Sequence, residues 1–226
     1  MQPDQALRST VPAPTGRPSS LFAAQLVLVA LGVDEGGLRV LATAQEGAST
    51  GSLPRSWLEQ DDDLDIAGRA RLAELLPGGC VASAGLPPVV DRASESSTPA
   101  LVTAAQVILV AHGPLQSRLE LFTDPGLLGP RDRELLHTAV RAAADLLADG
   151  DLAAKMLPST FTLRELRAVY EVFWQQEIDA SNFSKRVLAA EGFLQPLGRI
   201  PRARGGRPPE AYRRGDGPAP RITSPR

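Results

Sequence analysis

The chain has 226 residues, 43% of them hydrophobic, which is enough for one large domain or for a medium domain with a smaller one. A single cysteine, Cys80, excludes an internal disulfide and a cysteine-ligated zinc site, and fits a cytoplasmic protein. The formal net charge of -2 is unevenly divided: residues 181–226 hold ten Lys or Arg against three Asp or Glu, leaving -9 for residues 1–180. Such a split is expected when one end of a chain meets a polyanion and the other does not.

Residues 1–20 are rich in Pro, Ser and Thr without periodicity, and are expected to be disordered. The run LFAAQLVLVAL, residues 21–31, is shorter than the roughly 20 residues that span a bilayer. No small-residue cleavage site follows it, only the turn Asp34-Glu35-Gly36-Gly37, so it reads as a buried strand that pairs with LRVLATA in a hairpin. No membrane segment is expected. A helix is predicted from Asp65, with Ile66, Leu72 and Leu75 or Leu76 on one face and Pro77-Gly78-Gly79 as its stop. Residues 86–100 read as a polar loop containing prolines, and LVTAAQVILVA, residues 101–111, as a central strand. Pro130 to Gly150 reads as a long helix with the apolar stripe Leu135, Leu136, Val140, Ala143, Ala144, Leu146 and Leu147, stopped by Gly150. Residues 21–150 therefore form an α+β, mixed-sheet domain.

Residues 151–214 form a second, smaller unit, organised from about residue 158. Thr162-Leu163-Arg164-Glu165 is a capping box, in which hydroxyl and carboxylate each satisfy a free amide at a helix start. Leu163, Leu166, Val169 or Tyr170, and Phe173 then recur at helical spacing. After a short break at 176–179, a second helix runs from Asp179 or Ala180 to about Glu191, closed by Gly192. An extended GFLQPLG and a returning AYRR complete a helix-turn-helix with a wing, and residues 215–226 are expected to be a disordered tail.

The second helix separates its faces. Phe183, Val187, Leu188 and Ala190 are expected to point inward, and Asn182, Lys185, Arg186 and Ala189 outward. The outer side of its first two turns carries Ser181, Asn182, Ser184, Lys185 and Arg186 and no carboxylate. Asn and Arg read adenine and guanine edges bidentately in the major groove, while Lys and Ser suit phosphates. Beyond it, Arg199, Arg202, Arg204 and Arg207 flank Gly205-Gly206, where a chain without Cβ atoms can approach a phosphate or enter a minor groove. Tyr212 is spaced to pack back against the helices. The alternative is a flexible basic tail that binds any nucleic acid.

FTLRELRAVYEVFWQQEIDASNFSKRVLAAEGFLQPLG followed by GGRPPEAYRR resembles the C-terminal winged helix of the Nudix-related transcriptional regulators of the NrtR type, over residues 158–214. The resemblance implies a Nudix-like α/β/α sandwich in front of a winged helix-turn-helix domain. It places DNA contacts on Ser181, Asn182, Lys185, Arg186, Gly206 and Arg207, and Thr162, Ser184, Arg199 and Arg204 complete the candidate DNA-binding set. It further implies a homodimer on double-stranded, palindromic operator DNA and repression of NAD biosynthesis or salvage genes. The effector would be an adenine nucleotide: ADP-ribose, NAD or ATP.

A Nudix box would fall on LPRSWLEQDDDLDIAGRARLAELLPGG, where Arg55 and Ser56 replace glycines. Aligned on Leu72, the box helix reads Ala70, Arg71, Leu72, Ala73, Glu74 and Leu75, one carboxylate where three are needed to hold Mg²⁺ against a diphosphate. No catalytic residue and no metal are therefore expected, and Asp61, Asp62, Asp63 and Asp65 read as an acidic loop. Arg55, Trp57, Arg71 and Glu74 are the candidate effector-binding residues. His112 and His137 have no partners at ligand or triad spacing, and no phosphate-binding glycine loop is present. The competing expectation is a Nudix hydrolase of nucleoside diphosphate derivatives with an accessory nucleic-acid-binding domain.

Overall fold

A computed structural model describes residues 22–35, 37–44, 51–59, 63–91, 100–148, 150–199 and 209–223. The expected disorder of residues 1–20 lies outside the described residues. In chain order the elements are β1 (Phe22–Asp34), β2 (Gly37–Leu41), β3 (Thr43–Ala44), β4 (Gly51–Ser52), β5 (Arg55–Trp57), α1 (Leu64–Leu75), β6 (Cys80–Asp91), β7 (Ala100–Val110), α2 (His112–Ser117), β8 (Phe122–Thr123), α3 (Pro130–Leu146) and α4 (Gly150–Lys155). The second unit adds β9 (Phe161–Thr162), α5 (Leu163–Trp174), α6 (Ala180–Leu188), β10 (Leu194–Arg199) and β11 (Glu210–Arg214).

The apolar run of β1 is the middle of a mixed sheet ordered β6-β7-β1-β2-β8, with β5 also paired to β1. β7 lies parallel to it from Phe22 to Leu31, while β5 pairs antiparallel near its start and β2 antiparallel at its end. A strand paired on both edges and covered on both faces needs continuous hydrophobicity, and Leu26 to Leu31 are all at most 1% exposed. Alternate residues serve opposite faces. Val27, Val29 and Leu31 join α3 residues Leu136, Val140 and Ala143 in one apolar cluster, while Leu28 and Ala30 join Leu72, Leu75 and Leu76 of α1 in the other. The sheet is thus sandwiched between α1 and α2 on one side and α3 on the other.

Residues 86–91 belong to a strand, not to the expected loop: β6 continues through them, with a register irregularity between Leu86 and Val89. β6 ends the strand order, and an edge strand tolerates Pro87 and Pro88 because their missing amides face no partner. α1 starts at Leu64 behind the cap Asp63, one residue ahead of the expected Asp65. Leu72 and Leu75 are buried as expected, but Ile66, assigned to the inner face, is 68% exposed. The helix can lie close to β7 because of Gly68: a Cβ there would come 1.3 Å from Oε1 of Gln106, a central-strand residue itself 2% exposed. Gly150 does not stop the long helix; α3 ends at Leu146, and Gly150 opens α4.

The larger apolar cluster does not end at the sheet. It runs from Leu109 through α3 to Leu166, Val169, Tyr170 and Phe173 of α5, Phe183 and Val187 of α6, and Ile222. The expected disordered tail is therefore corrected over residues 215–223. Gly215 and Gly217 donate their amides to the carbonyls of Phe193 and Gly192, at 2.7 and 2.9 Å, and Ile222 is 2% exposed. A Cβ on either glycine would fall 2.2 Å from a carbonyl oxygen, so this crossing requires glycine.

Candidate nucleic-acid interface and sensor face

Thr162 and Glu165 form the expected capping box: the Glu165 amide donates to Thr162 Oγ1 at 3.2 Å, and the Thr162 amide donates to Glu165 Oε2 at 2.6 Å. Four buried residues of α5, Leu166, Val169, Tyr170 and Phe173, face inward. Tyr170 joins the two helices, its ring 5.0 Å from Trp174 and 5.7 Å, edge-on, from Phe183. The intervening turn is fixed by Gln175 at φ 53° and by Glu171, whose Oε1 accepts the Ile178 amide at 2.9 Å. Asp179 caps α6 by accepting the Asn182 amide at 2.8 Å.

Phe183 and Val187 pin the buried side of α6, and Ser181, Asn182, Lys185, Arg186 and Ala189 are exposed as expected. Ser184, Leu188, Arg186 and Thr162 have further distinct settings. Ser184 is half-buried and donates to the Ala180 carbonyl of its own helix at 2.7 Å, away from the outer face. Leu188, expected inward, is 51% exposed. Arg186 Nη1 donates to Thr223 Oγ1 at 3.3 Å, which ties it to the tail. Thr162 stands at the α5 cap and in β9, paired with Ala211, apart from the α6 face.

The wing is a three-stranded sheet ordered β10-β11-β9. Tyr212 packs back as expected, 6% exposed, with its hydroxyl donating to Glu210 Oε2 at 2.9 Å. Burial, and then the Glu210 carboxylate, push this phenol above its usual range. Arg213 donates to Gln195 Oε1 across the pair at 2.9 Å. Arg214 is ion-paired with Asp151 of α4, which also binds Lys155. Of the predicted wing contacts, Arg204, Gly206 and Arg207 lie outside the described residues, as does Arg202. The backbone of Arg199 pairs with Glu210 at the end of β10.

The four candidate effector residues do not converge. Arg55 and Trp57 lie in β5 opposite Val27 and Gln25, on the sheet face that α3 covers. Arg71 and Glu74 lie on α1, across the sheet, and pair with each other at 2.6 Å. Arg55 is engaged: its guanidinium forks onto the carboxylate of Asp132, a buried residue in the first turn of α3, and Nη1 also donates to the Leu53 carbonyl at 2.9 Å. Asp132 Oδ2 in turn accepts the Leu53 amide at 2.8 Å. Beside α1, Asp65 accepts from Arg69, Ser83 and Gln106, and the Arg69 and Ser83 bonds hold its carboxyl below the usual carboxylate range. Among the described residues, no three His, Cys, Asp or Glu side chains cluster as metal ligands would. No helix among them is long and apolar enough to cross a membrane.

Residues 153–214 match the family described as the NrtR DNA-binding winged helix domain. No curated protein matches the chain. Among solved structures, Shewanella oneidensis NrtR complexed with a 27mer DNA aligns with a TM-score of 0.64 at 20% identity, covering 86% of this chain and 94% of that one. A second structure of Shewanella oneidensis NrtR aligns with a TM-score of 0.64 at 20% identity, over 84% and 93% of the two chains. A MutT/nudix family protein from Enterococcus faecalis aligns with a TM-score of 0.55 at 16% identity, over 87% and 89%. At such identities the likeness is one of fold. Residues 153–214 thus match the NrtR-type DNA-binding winged helix domain, and the chain as a whole shares the fold of Shewanella oneidensis NrtR.

Proposed function

We propose that the protein is a transcriptional regulator that reads operator DNA with α6 and the wing, and senses an adenine nucleotide with its Nudix-like domain. The observation that carries this reading is the outer face of α6. Ser181, Asn182 and Lys185 stand exposed there, with no carboxylate on the helix, in a domain of the NrtR DNA-binding type. Shewanella oneidensis NrtR was crystallised in complex with a 27mer DNA, which supports the same partner here. Arg199, Arg204, Gly206 and Arg207 of the wing would add backbone and minor-groove contacts.

The Nudix-like domain acts without hydrolysis in this reading. Of the box carboxylates only Glu74 remains, and Arg71 already neutralises it. ADP-ribose, NAD or ATP would be the effector, and genes of NAD biosynthesis or salvage the targets of repression. A homodimer would set two α6 helices into successive major grooves about 34 Å apart, where a small rotation driven by effector binding weakens the grip. Selection of genomic fragments by the full chain, with and without each nucleotide, tests this directly. The protein should prefer its operator over unrelated duplex by roughly 10³ or more. Lys185→Ala should weaken binding and lower the salt slope by about one. Equal affinity for every duplex defeats the reading, and Mg²⁺-dependent turnover of ADP-ribose restores the hydrolase alternative.

A further inference from the structure

Leu188 is the one large apolar side chain that α6 turns outward. Phe183 and Val187 mark the buried side of the helix at 4% and 1% exposure, whereas Leu188 is 51% exposed and belongs to neither core cluster. At helical spacing it shares a stripe with Ser181 and Lys185, at i, i+4 and i+7, with Asn182 and Ala189 beside them. A single exposed leucine elsewhere on a protein calls for no explanation. Here it adds a large apolar group to a surface otherwise built of hydroxyl, amide and ammonium groups and the small Ala189 methyl, in the domain that meets DNA.

The floor of the major groove offers one hydrophobic feature, the thymine 5-methyl group; the remaining base-edge groups there are hydrogen-bond donors and acceptors. An apolar side chain in a polar reading face therefore has one complementary target. Leu188 stands three residues beyond Lys185, about 4.5 Å along the helix axis, a little more than one base step. We infer that Leu188 is a specificity-determining residue that seats against the 5-methyl of a thymine, one or two steps from the base or phosphate engaged by Lys185. The inference rests on α6 being the DNA reader.

The test begins with the duplex that the full-length protein selects from a random pool, and then replaces each dT in it by deoxyuridine, one position at a time. Loss of the methyl at one thymine of each half-site should weaken wild-type binding about fourfold, the worth of one buried carbon. Leu188→Ala should bind the parent duplex more weakly by a similar factor and become indifferent to deoxyuridine at that position alone. Because the side chain is outside the core, the variant should melt with the wild type; Leu188→Gln provides a second substitution with the same expectation. Two results overturn the inference: wild-type protein binding every deoxyuridine duplex as it binds the parent, or a fourfold loss that persists unchanged in Leu188→Ala. If no common sequence is selected at all, α6 is not a reader, and the proposed function falls with the methyl contact.

Discussion

Asp132 is the test case for how β5 is held to α3, the helix that shares an apolar cluster with α5. Asp132→Ala removes the acceptor of the Leu53 amide, and Leu53 is 1% exposed, so the stranded donor should cost roughly 1–3 kcal/mol. The Arg55 side chain is 32% exposed and can rehydrate, which limits the lost ion pair to about 1 kcal/mol. Together these give about 3 kcal/mol, or a melting temperature lower by about 9 °C for a chain of this size. Arg55→Ala should cost at least as much, because it leaves a carboxylate that is 7% exposed without its counter-ion. The double variant should cost no more than the worse single change, since each removes the reason for the other. Urea unfolding followed by the fluorescence of the two tryptophans, Trp57 and Trp174, measures all four proteins. If the double variant loses the sum of the two single losses, the side chains act independently and the clamp is not a unit.

Three further outcomes follow from the geometry. Gly68→Ala should destabilise by roughly 1–3 kcal/mol in thermal unfolding, because its Cβ meets Gln106 Oε1, and Gln106→Ala in the same chain should relieve most of that cost. Thr162→Ala should cost about 1 kcal/mol through the lost cap and Thr162→Ser much less, as read by thermal denaturation. Partial burial raises the Asp151 carboxyl, but the bonds from Lys155 and Arg214 outweigh it and set the group below its ordinary value of 3.8. The stability it contributes is therefore present above that pH and lost as acid protonates the folded group, so the deficit of Asp151→Asn relative to wild type should shrink between pH 7 and pH 3.

What the sequence made legible is what local periodicity controls. Leu166, Tyr170 and Phe173 fall on one face because α5 is long enough for its stripe to be unambiguous, and Thr162 with Glu165 marks its start within four residues. Phe183 and Val187 were readable for the same reason. Leu188 and Ile66 were misplaced because apolar character was weighed above angle: Leu188 falls on the stripe of Ser181 and Lys185, and Ile66 falls across α1 from Gly68 and Leu75. The role of Arg55 was out of reach: its partner Asp132 lies 77 positions later, and nothing local announces the pairing. Pro87 and Pro88 suggested a loop because propensity does not know which strand will be at a sheet edge. The order of residues 215–223 was out of reach for a related reason, since nothing local says that Gly215 and Gly217 will cross the backbone at Glu191 and Gly192. Glycine marks flexible chain and close backbone crossing alike, and only the position of Gly192 decides between them.

The uninterrupted apolar mass from Leu109 through Val140 to Phe173 makes the two halves a single cooperative body. Unfolding either half would strip oil-like surface from the other, so calorimetry should record one transition where two loosely tethered modules would give two. A small molecule that bound the front half would then also protect the back half from heat, in proportion to the logarithm of its concentration.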